Sequence, residues 1–100
     1  MILTKPQQKF LRSLGHDLKP VVMLGQHGMS ENVMKEVEIA LLRHELIKIK
    51  LAVGDRDLRD QLIEQIVSES HASVIQKVGN MLLIFRRNPQ NPVISLAKVR

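Results

Sequence analysis

A short apolar run that ends in two glycines and a helix start limits the folds open to this chain. Residues 21–24 have the composition of a short buried strand, and Ser30 has the position of the N-cap of an amphipathic helix. Gly25 and Gly28 lie between them in a G-x-x-G spacing. Glycine tolerates positive φ and close ligand approach, and a helix start presents N–H groups and a positive dipole end. The segment predicts a place to hold a phosphate, although a strand-to-helix turn can use glycines without a ligand.

The rest of the chain alternates helical and strand periodicity. A capping box at Thr4 begins a first helix that we expect to end at Gly15. The second helix begins at Ser30, and the third begins after Gly54-Asp55. The pair Gly79-Asn80 predicts a tight β-hairpin. The predicted strands cover residues 21–24, 46–51, 74–78 and 81–85. The order α-β-α-β-α-β-β predicts one compact α/β domain with three helices and a four-stranded mixed sheet.

Length and composition restrict the class of protein. One hundred residues form one domain, and 44% hydrophobic residues without a membrane-length apolar run predict a soluble protein. The N-terminus lacks a signal-peptide pattern, and the absence of cysteine suits a cytoplasmic location. Neither a Walker A loop nor a G-x-G-x-x-G loop is present, so we expect no nucleotide cofactor.

The formal charge of +5 is unevenly distributed. Residues 55–70 hold five acidic and two basic residues, whereas residues 71–100 hold five basic residues and no acidic one. A basic surface with one acidic side is typical of nucleic-acid binders. The alternative is that the charge only keeps a small protein soluble.

Two basic pairs are candidate phosphate contacts. Strand alternation places Lys48 and Lys50 on the face opposite the apolar residues of the same strand. Arg86 and Arg87 close the last strand, and the guanidinium group suits phosphate oxygens. The lysines could instead form a solvated sheet surface, and the arginines could protect an apolar strand from aggregation.

Histidines and acidic residues give weaker signals. The four histidines have no metal-ligand spacing, so we expect no metal site. His27 lies inside the glycine loop, where it could contact a nucleotide or simply be exposed, and His44 is expected to pack on the apolar side of its helix. Asp55, Asp57 and Asp60 resemble metal ligands, but acidic first turns are common in helices. We therefore predict that the protein is not an enzyme.

Aromatic residues are almost absent. Phe10 and Phe85 are the only two, and both occupy expected core positions. A sheet that stacks bases needs exposed aromatic side chains. Recognition should therefore depend on phosphates, sugars and shape.

Four sequence blocks carry a resemblance to a known family. They are LGHDLKPVV at 14–22, GQHGMS at 25–30, HELIKIK at 44–50 and VIQKVG at 74–79. In this order they resemble the CRM domain and, more closely, the bacterial stand-alone YhbY family of RNA-binding proteins. The resemblance covers nearly all of residues 3–87.

The resemblance implies a fold similar to the C-terminal domain of translation initiation factor 3. It also implies association with precursors of the large ribosomal subunit, and plant relatives carry the domain in group II intron splicing factors. The family's glycine loop, considered part of the RNA surface, falls on Gly25, Gln26, His27 and Gly28. Many members have Lys or Arg where this chain has Gln26, so backbone N–H groups and His27 would have to serve here.

These observations lead to one hypothesis with two rivals. We expect a non-catalytic monomer that binds rRNA in large-subunit precursors, with no membrane or small-molecule partner. Residues 1–87 would form the RNA-binding domain, and residues 88–100 a mobile or loosely docked tail. The rivals are a protein-interaction module that docks on a ribosomal or translation-factor surface, and an RNA-modifying enzyme that uses Asp57. The proposed contacts are Gly25, Gln26, His27 and Gly28 with Lys5, Lys9, Arg12, Lys19, Lys48, Lys50, Arg86 and Arg87.

Overall fold

Seven regular elements follow one another in the predicted order. The computed structural model describes residues 2–25, 27–97 and 99. The helices are α1 (Lys5–His16), α2 (Glu31–His44) and α3 (Arg56–Ser70), and the strands are β1 (Val22–Leu24), β2 (Leu46–Leu51), β3 (Ser73–Val78) and β4 (Met81–Phe85). The fold prediction of a single α/β domain with three helices and four strands is confirmed.

The four strands form one mixed sheet in the order β1-β2-β4-β3. β1 runs parallel to β2, with Met23 opposite Lys50. β4 lies antiparallel to both β2 and β3, and the β3–β4 pair is the predicted hairpin around Gly79-Asn80. The parallel pair requires a crossover, which α2 supplies.

Each face of the sheet covers its own apolar cluster. The face that packs against α2 and α3 includes Ile47, Ile49 and Leu51 of β2. The opposite face packs against α1 and buries Leu11 with Phe85. We call these the α2/α3 face and the α1 face. Because strand side chains alternate, Lys48 and Lys50 lie on the α1 face.

Capping side chains define where the helices begin. Thr4 Oγ1 accepts the Gln7 N–H, and the Gln7 side chain accepts the Thr4 N–H, so the predicted capping box is present. Ser30 caps α2 and Asp55 caps α3, as the sequence predicts. None of the helices in the described ranges is both long and apolar enough to cross a membrane.

The prediction that α1 ends at Gly15 is wrong by one residue, because the helix continues to His16. Gly15 is buried inside the last turn, where a Cβ atom would collide with the side chain of Leu83 on β4. The glycine therefore allows α1 to lie close against the sheet rather than breaking the helix.

The segment after β4 returns to the α1 face. Leu96 is buried in the cluster on that face, and Ile94 packs against it. The Val93 and Ile94 N–H groups both donate to the Glu45 carboxylate at 2.7 Å. These contacts locate residues 93–96 on the domain, and the division of the chain at residue 87 stays a prediction.

Candidate nucleic-acid interface

The two glycines of the loop after β1 have different properties. Gly28 has φ of 74°, a conformation that disfavours any residue with a Cβ, and its N–H donates to the Gly25 carbonyl at 3.0 Å. Gly25 is exposed, and no atom lies within 4 Å of where its Cβ would be. Positive φ is therefore required only at Gly28, whereas Gly25 leaves the backbone open. His27 is exposed, and the predicted contact at Gln26 lies outside the described residues.

The start of α2 is only partly open to an anion. Ser30 Oγ accepts the Val33 N–H at 3.2 Å, which satisfies one of the N–H groups of the first turn. Glu31 adds a carboxylate to the same turn. A negative side chain there already stabilises the dipole. The exposed Gly25 is consequently the more accessible part of this region.

α1 carries a stripe of basic side chains along its solvent side. Lys5, Lys9, Arg12 and His16 are spaced by four, three and four residues, so they share one side of the helix. The buried residues of α1, such as Leu11, occupy the opposite side. The spacing was visible in the sequence, and its continuation to His16 was missed.

The stripe meets the lysines of the sheet. His16 and Lys48 line one shallow depression on the α1 face, and Lys19 and Lys48 line a groove beside it. Lys50 follows Lys48 on the same face, opposite Met23. We call the set the basic face; its members are Lys5, Lys9, Arg12, Lys19, Lys48 and Lys50.

The glycine loop continues from this face. Met23 pairs with Lys50, and Gly25 lies two residues after Met23. In extended backbone, this places Gly25 about 7 Å along the strand beyond Lys50. Among the described residues, no side chain of the basic face donates a hydrogen bond or forms an ion pair. The structure thus brings six predicted contacts to one side of the domain with Gly25 at its margin, whereas Gly28 lies beside Leu62 of α3.

The acidic residues of α3 lie on the other side of the sheet. α3 packs with α2 on the α2/α3 face, and its carboxylates are exposed there. Asp60 pairs with Lys77 of β3, and the hydrogen bond from this lysine holds the pKa of Asp60 below its ordinary value. Asp55 accepts the Asp57 N–H as a helix cap. The domain therefore has one basic and one acidic side.

Arg86 and Arg87 differ from the other predicted contacts because both are engaged within the protein. Arg86 donates two hydrogen bonds to the Glu38 carboxylate at 2.8 and 2.9 Å and one to the Ser70 carbonyl. The hydrogen bond from Arg86 lowers the pKa of Glu38. Arg87 donates to Glu45 and, at 2.7 Å, to the Ile94 carbonyl. These bonds engage both terminal nitrogens of Arg86, whereas Arg87 is engaged through Nη1 alone.

Arg86, Arg87 and their internal partners form one corner of the domain. Glu45 is its polar centre, and the sequence analysis missed this residue. The residue is 0% exposed and joins α2 to β2 with φ of 63°. Its carboxylate accepts the N–H groups of Asn88, Val93 and Ile94. Burial alone would raise the pKa of Glu45, but these N–H donors and Arg87 together hold it below the ordinary value. A lone carboxylate between a helix and an apolar strand is the signal that could have identified it.

The prediction that His44 packs in the core is wrong. The side chain is exposed because α2 ends at this residue and the chain turns sharply at Glu45. Within the described ranges, no three metal-binding side chains gather in a way that could hold an ion.

The domain combines an exposed backbone at Gly25 with a basic face whose side chains have no ion-pair partner among the described residues. This combination is typical of α/β domains that bind polyanions. The sequence matches the CRS1 / YhbY (CRM) domain over residues 3–86, and the chain belongs to this family.

The relatives cover nearly the whole domain. A Pseudomonas aeruginosa protein named probable RNA-binding protein PA4753 is 43% identical over 90 residues, which cover 90% of this chain and 86% of the relative. A Haemophilus influenzae protein named RNA-binding protein is 45% identical over 84% of this chain and 85% of its own length. The solution structure of SAV1595 from Staphylococcus aureus superposes with a TM-score of 0.76 at 31% identity, covering 90% of this chain and 94% of that one.

Proposed function

We propose that this protein binds structured RNA through the basic face and the exposed backbone at Gly25, without catalysing a reaction on it. The observation that carries the proposal is the concentration of six cationic side chains on one side, away from the carboxylates of α3. The relatives named as RNA-binding proteins support the choice of RNA as the polyanion.

The geometry favours contact with the RNA backbone rather than with stacked bases. Phe85 is buried and Phe10 packs in the same cluster, so neither ring offers an open stacking surface. Lysine and arginine on a convex helix and an adjoining strand suit a path of phosphates. The backbone at Gly25 can approach a sugar–phosphate chain because no side chain stands in front of it.

The target that we propose is rRNA in precursors of the large ribosomal subunit, as the family resemblance implies. Crosslinking in cells, followed by sequencing of the attached RNA, tests this target. Reads concentrated in large-subunit precursor rRNA support it, and reads spread over messenger RNA contradict it.

The binding surface itself is tested by the salt dependence of affinity. We expect Lys48→Ala/Lys50→Ala to weaken binding to a blunt-ended RNA hairpin and to reduce the slope of log K against log salt by about 1.5, because two phosphate contacts release fewer counterions. The matched control is Lys35→Ala/Arg43→Ala, which removes two exposed cations of α2.

Equal losses in the two variants would contradict the proposed surface, since they would report net charge alone. Retention of ribosome association by the Lys48→Ala/Lys50→Ala variant, with poor competition by purified RNA, would instead favour the protein-interaction alternative.

A further inference from the structure

Beside the basic face lies an apolar groove that the phosphate contacts do not use. It encloses about 320 Å³ between the C-terminal end of α1, the first residues of β2 and the segment after β4. We call it the α1–β2 groove. Its apolar walls include Leu14, Leu18, Val21, Leu46, Val93 and Ile94.

Two of the wall residues, Val21 and Val93, are exposed, yet the wall at residues 93–94 is firmly held. Val21 is 52% exposed and Val93 is 57% exposed, which is unusual for two apolar residues that share one groove. The wall at residues 93–94 is fixed by the two N–H bonds to buried Glu45 and by the bond from Arg87 to the Ile94 carbonyl. The groove is therefore a formed depression rather than a gap beside a loose end.

The rim of the groove is cationic. Lys19, His44 and Lys48 line it, and none of its lining residues, all of which the structure describes, is acidic. An occupant should therefore combine an apolar body with negative charge. A nucleotide has this combination, because its base is flat and largely apolar on both faces while its phosphate is anionic.

The edge of β2 beside the groove also carries backbone polar groups. The Lys48 carbonyl accepts the Val21 N–H, so the N–H and C=O groups of Leu46 and Lys48 point to this side of β2 by strand alternation. β1 pairs with β2 only from Ile49 onward, which leaves this stretch of β2 at the groove. The Lys48 carbonyl is occupied by Val21, and the Leu46 N–H and C=O groups lie on the edge of β2 that β1 leaves uncovered.

The groove is continuous with the proposed RNA path. Val21 and Met23 lie on the α1 face, and the backbone from Val21 to Gly25 spans about 13 Å of extended chain. Lys48 serves both the groove rim and the basic face. One RNA strand could therefore place a base in the groove and its next phosphates along Lys50 toward the loop.

We propose that the α1–β2 groove holds the base of a single unpaired nucleotide of the bound RNA. This inference rests on the proposed function and adds a preference to it: a base stacked inside a duplex cannot enter, so the protein selects helices that carry an unpaired or extruded nucleotide. The base is held between aliphatic side chains, not on an aromatic ring.

Three RNA probes with one stem separate base binding from phosphate binding. They are the stem as a blunt two-strand duplex, which has no unpaired base, the same duplex with a short adenosine tail, and the same duplex with a tail of abasic nucleotides that keeps every phosphate. We expect the protein to bind the adenosine tail about ten-fold more tightly than the abasic tail, measured by fluorescence anisotropy.

A neutral groove variant shows where that preference arises. Val21→Gln/Val93→Gln should reduce the preference to about two-fold or less, with unchanged affinity and salt slope on the blunt duplex. The matched control is Ile39→Gln/Val74→Gln, which alters two residues of similar exposure, 59% and 47%, outside the groove. All four positions are exposed, and thermal denaturation checks that both variants fold.

Equal binding of adenosine and abasic tails would overturn the inference. The proposed function would stand in that case if Lys48→Ala/Lys50→Ala still lowers the salt slope. A preference that survives in the groove variant would also overturn it. A third result would overturn it: sedimentation that shows a dimer of the unmodified protein and a monomer of Val21→Gln/Val93→Gln. The groove would then hold a second copy of the chain.

Discussion

The basic face and the corner formed by Arg86 and Arg87 carry similar positive charge but hold it in different surroundings. On the basic face, lysines such as Lys48 and Lys50 stand on a strand with no carboxylate across from them. At the corner, each arginine meets a carboxylate of α2 or of the residue that follows it. The comparison shows that a cation is available to a ligand only where the fold brings no internal partner within reach.

The corner also explains why its charges are costly to disturb. Glu45 collects three backbone N–H groups and one guanidinium at a buried, positive-φ position. A buried ion pair contributes little net free energy when intact, but removing one partner leaves the other charge without compensation. Charges on the basic face are solvated in the unbound protein, so removing them should cost no stability.

The largest expected effect is on Glu45. We predict that Glu45→Ala lowers the free energy of unfolding by about 3–4 kcal/mol, because three N–H groups and Arg87 lose their acceptor. Urea denaturation measures the change. Glu64→Ala on the exposed side of α3 is the control and should be close to neutral. A loss of the same small size in both variants would remove the distinction between the two regions.

Acid should also lower the free energy of unfolding, because it protonates the two carboxylates of the corner. The pKa values of Glu38 and Glu45 are lowered in the folded protein, so the unfolded chain binds protons more readily than the folded one. Their contribution is complete above the ordinary value of 4.5 and is lost as pH falls through the folded pKa values. Urea midpoints measured between pH of about 7 and about 3 should fall on the acid side. In Glu45→Gln the fall should be shallower; an identical profile would contradict the assignment.

The two regions are compared directly by replacing Arg86 at the corner and the pair Lys48 and Lys50 on the basic face. Arg86→Ala should lower the free energy of unfolding by about 1–2 kcal/mol, because a half-exposed bidentate pair and the bond to Ser70 are lost. Its effect on the salt slope of RNA binding should be small. Lys48→Ala/Lys50→Ala should show the reverse pattern. Similar behaviour of the two variants in both measurements would contradict the difference between the corner and the basic face.

The smallest effect separates the two loop glycines. Gly28→Ala should cost about 1 kcal/mol of unfolding free energy, because φ of 74° disfavours a Cβ atom. Gly25→Ala should leave stability unchanged, since its Cβ would meet open space. If RNA approaches the backbone at this position, Gly25→Ala lowers affinity without destabilising the fold. Unchanged affinity would remove Gly25 from the interface.

The sequence predicts the fold well because local signals and tertiary packing agree along most of the chain. The alternation from Leu46 to Leu51 correctly places Lys48 and Lys50 on one face, and the capping residues Thr4, Ser30 and Asp55 correctly mark helix starts. The predicted end of α1 is wrong because Gly15 is required by close packing against Leu83 of β4, and no local sequence pattern reveals that contact.

The candidate site is less predictable for the same reason. Arg86 and Glu38 are far apart in the chain, as are Arg87 and Glu45, so the sequence cannot show that the arginines are engaged. The exposure of His44 depends on the end of α2 and the turn at Glu45. Long-range partners, not residue type, decide which basic residues are available.

Lysine footprinting in the presence and absence of a structured RNA hairpin tests the division of the molecule most directly. Acetylation followed by mass spectrometry reports each lysine separately within one folded sample. We expect protection of Lys5, Lys9, Lys19, Lys48 and Lys50, with Lys35 and Lys77 modified equally in both states. Protection of Lys35 and Lys77, with the lysines of the basic face still reactive, would contradict it.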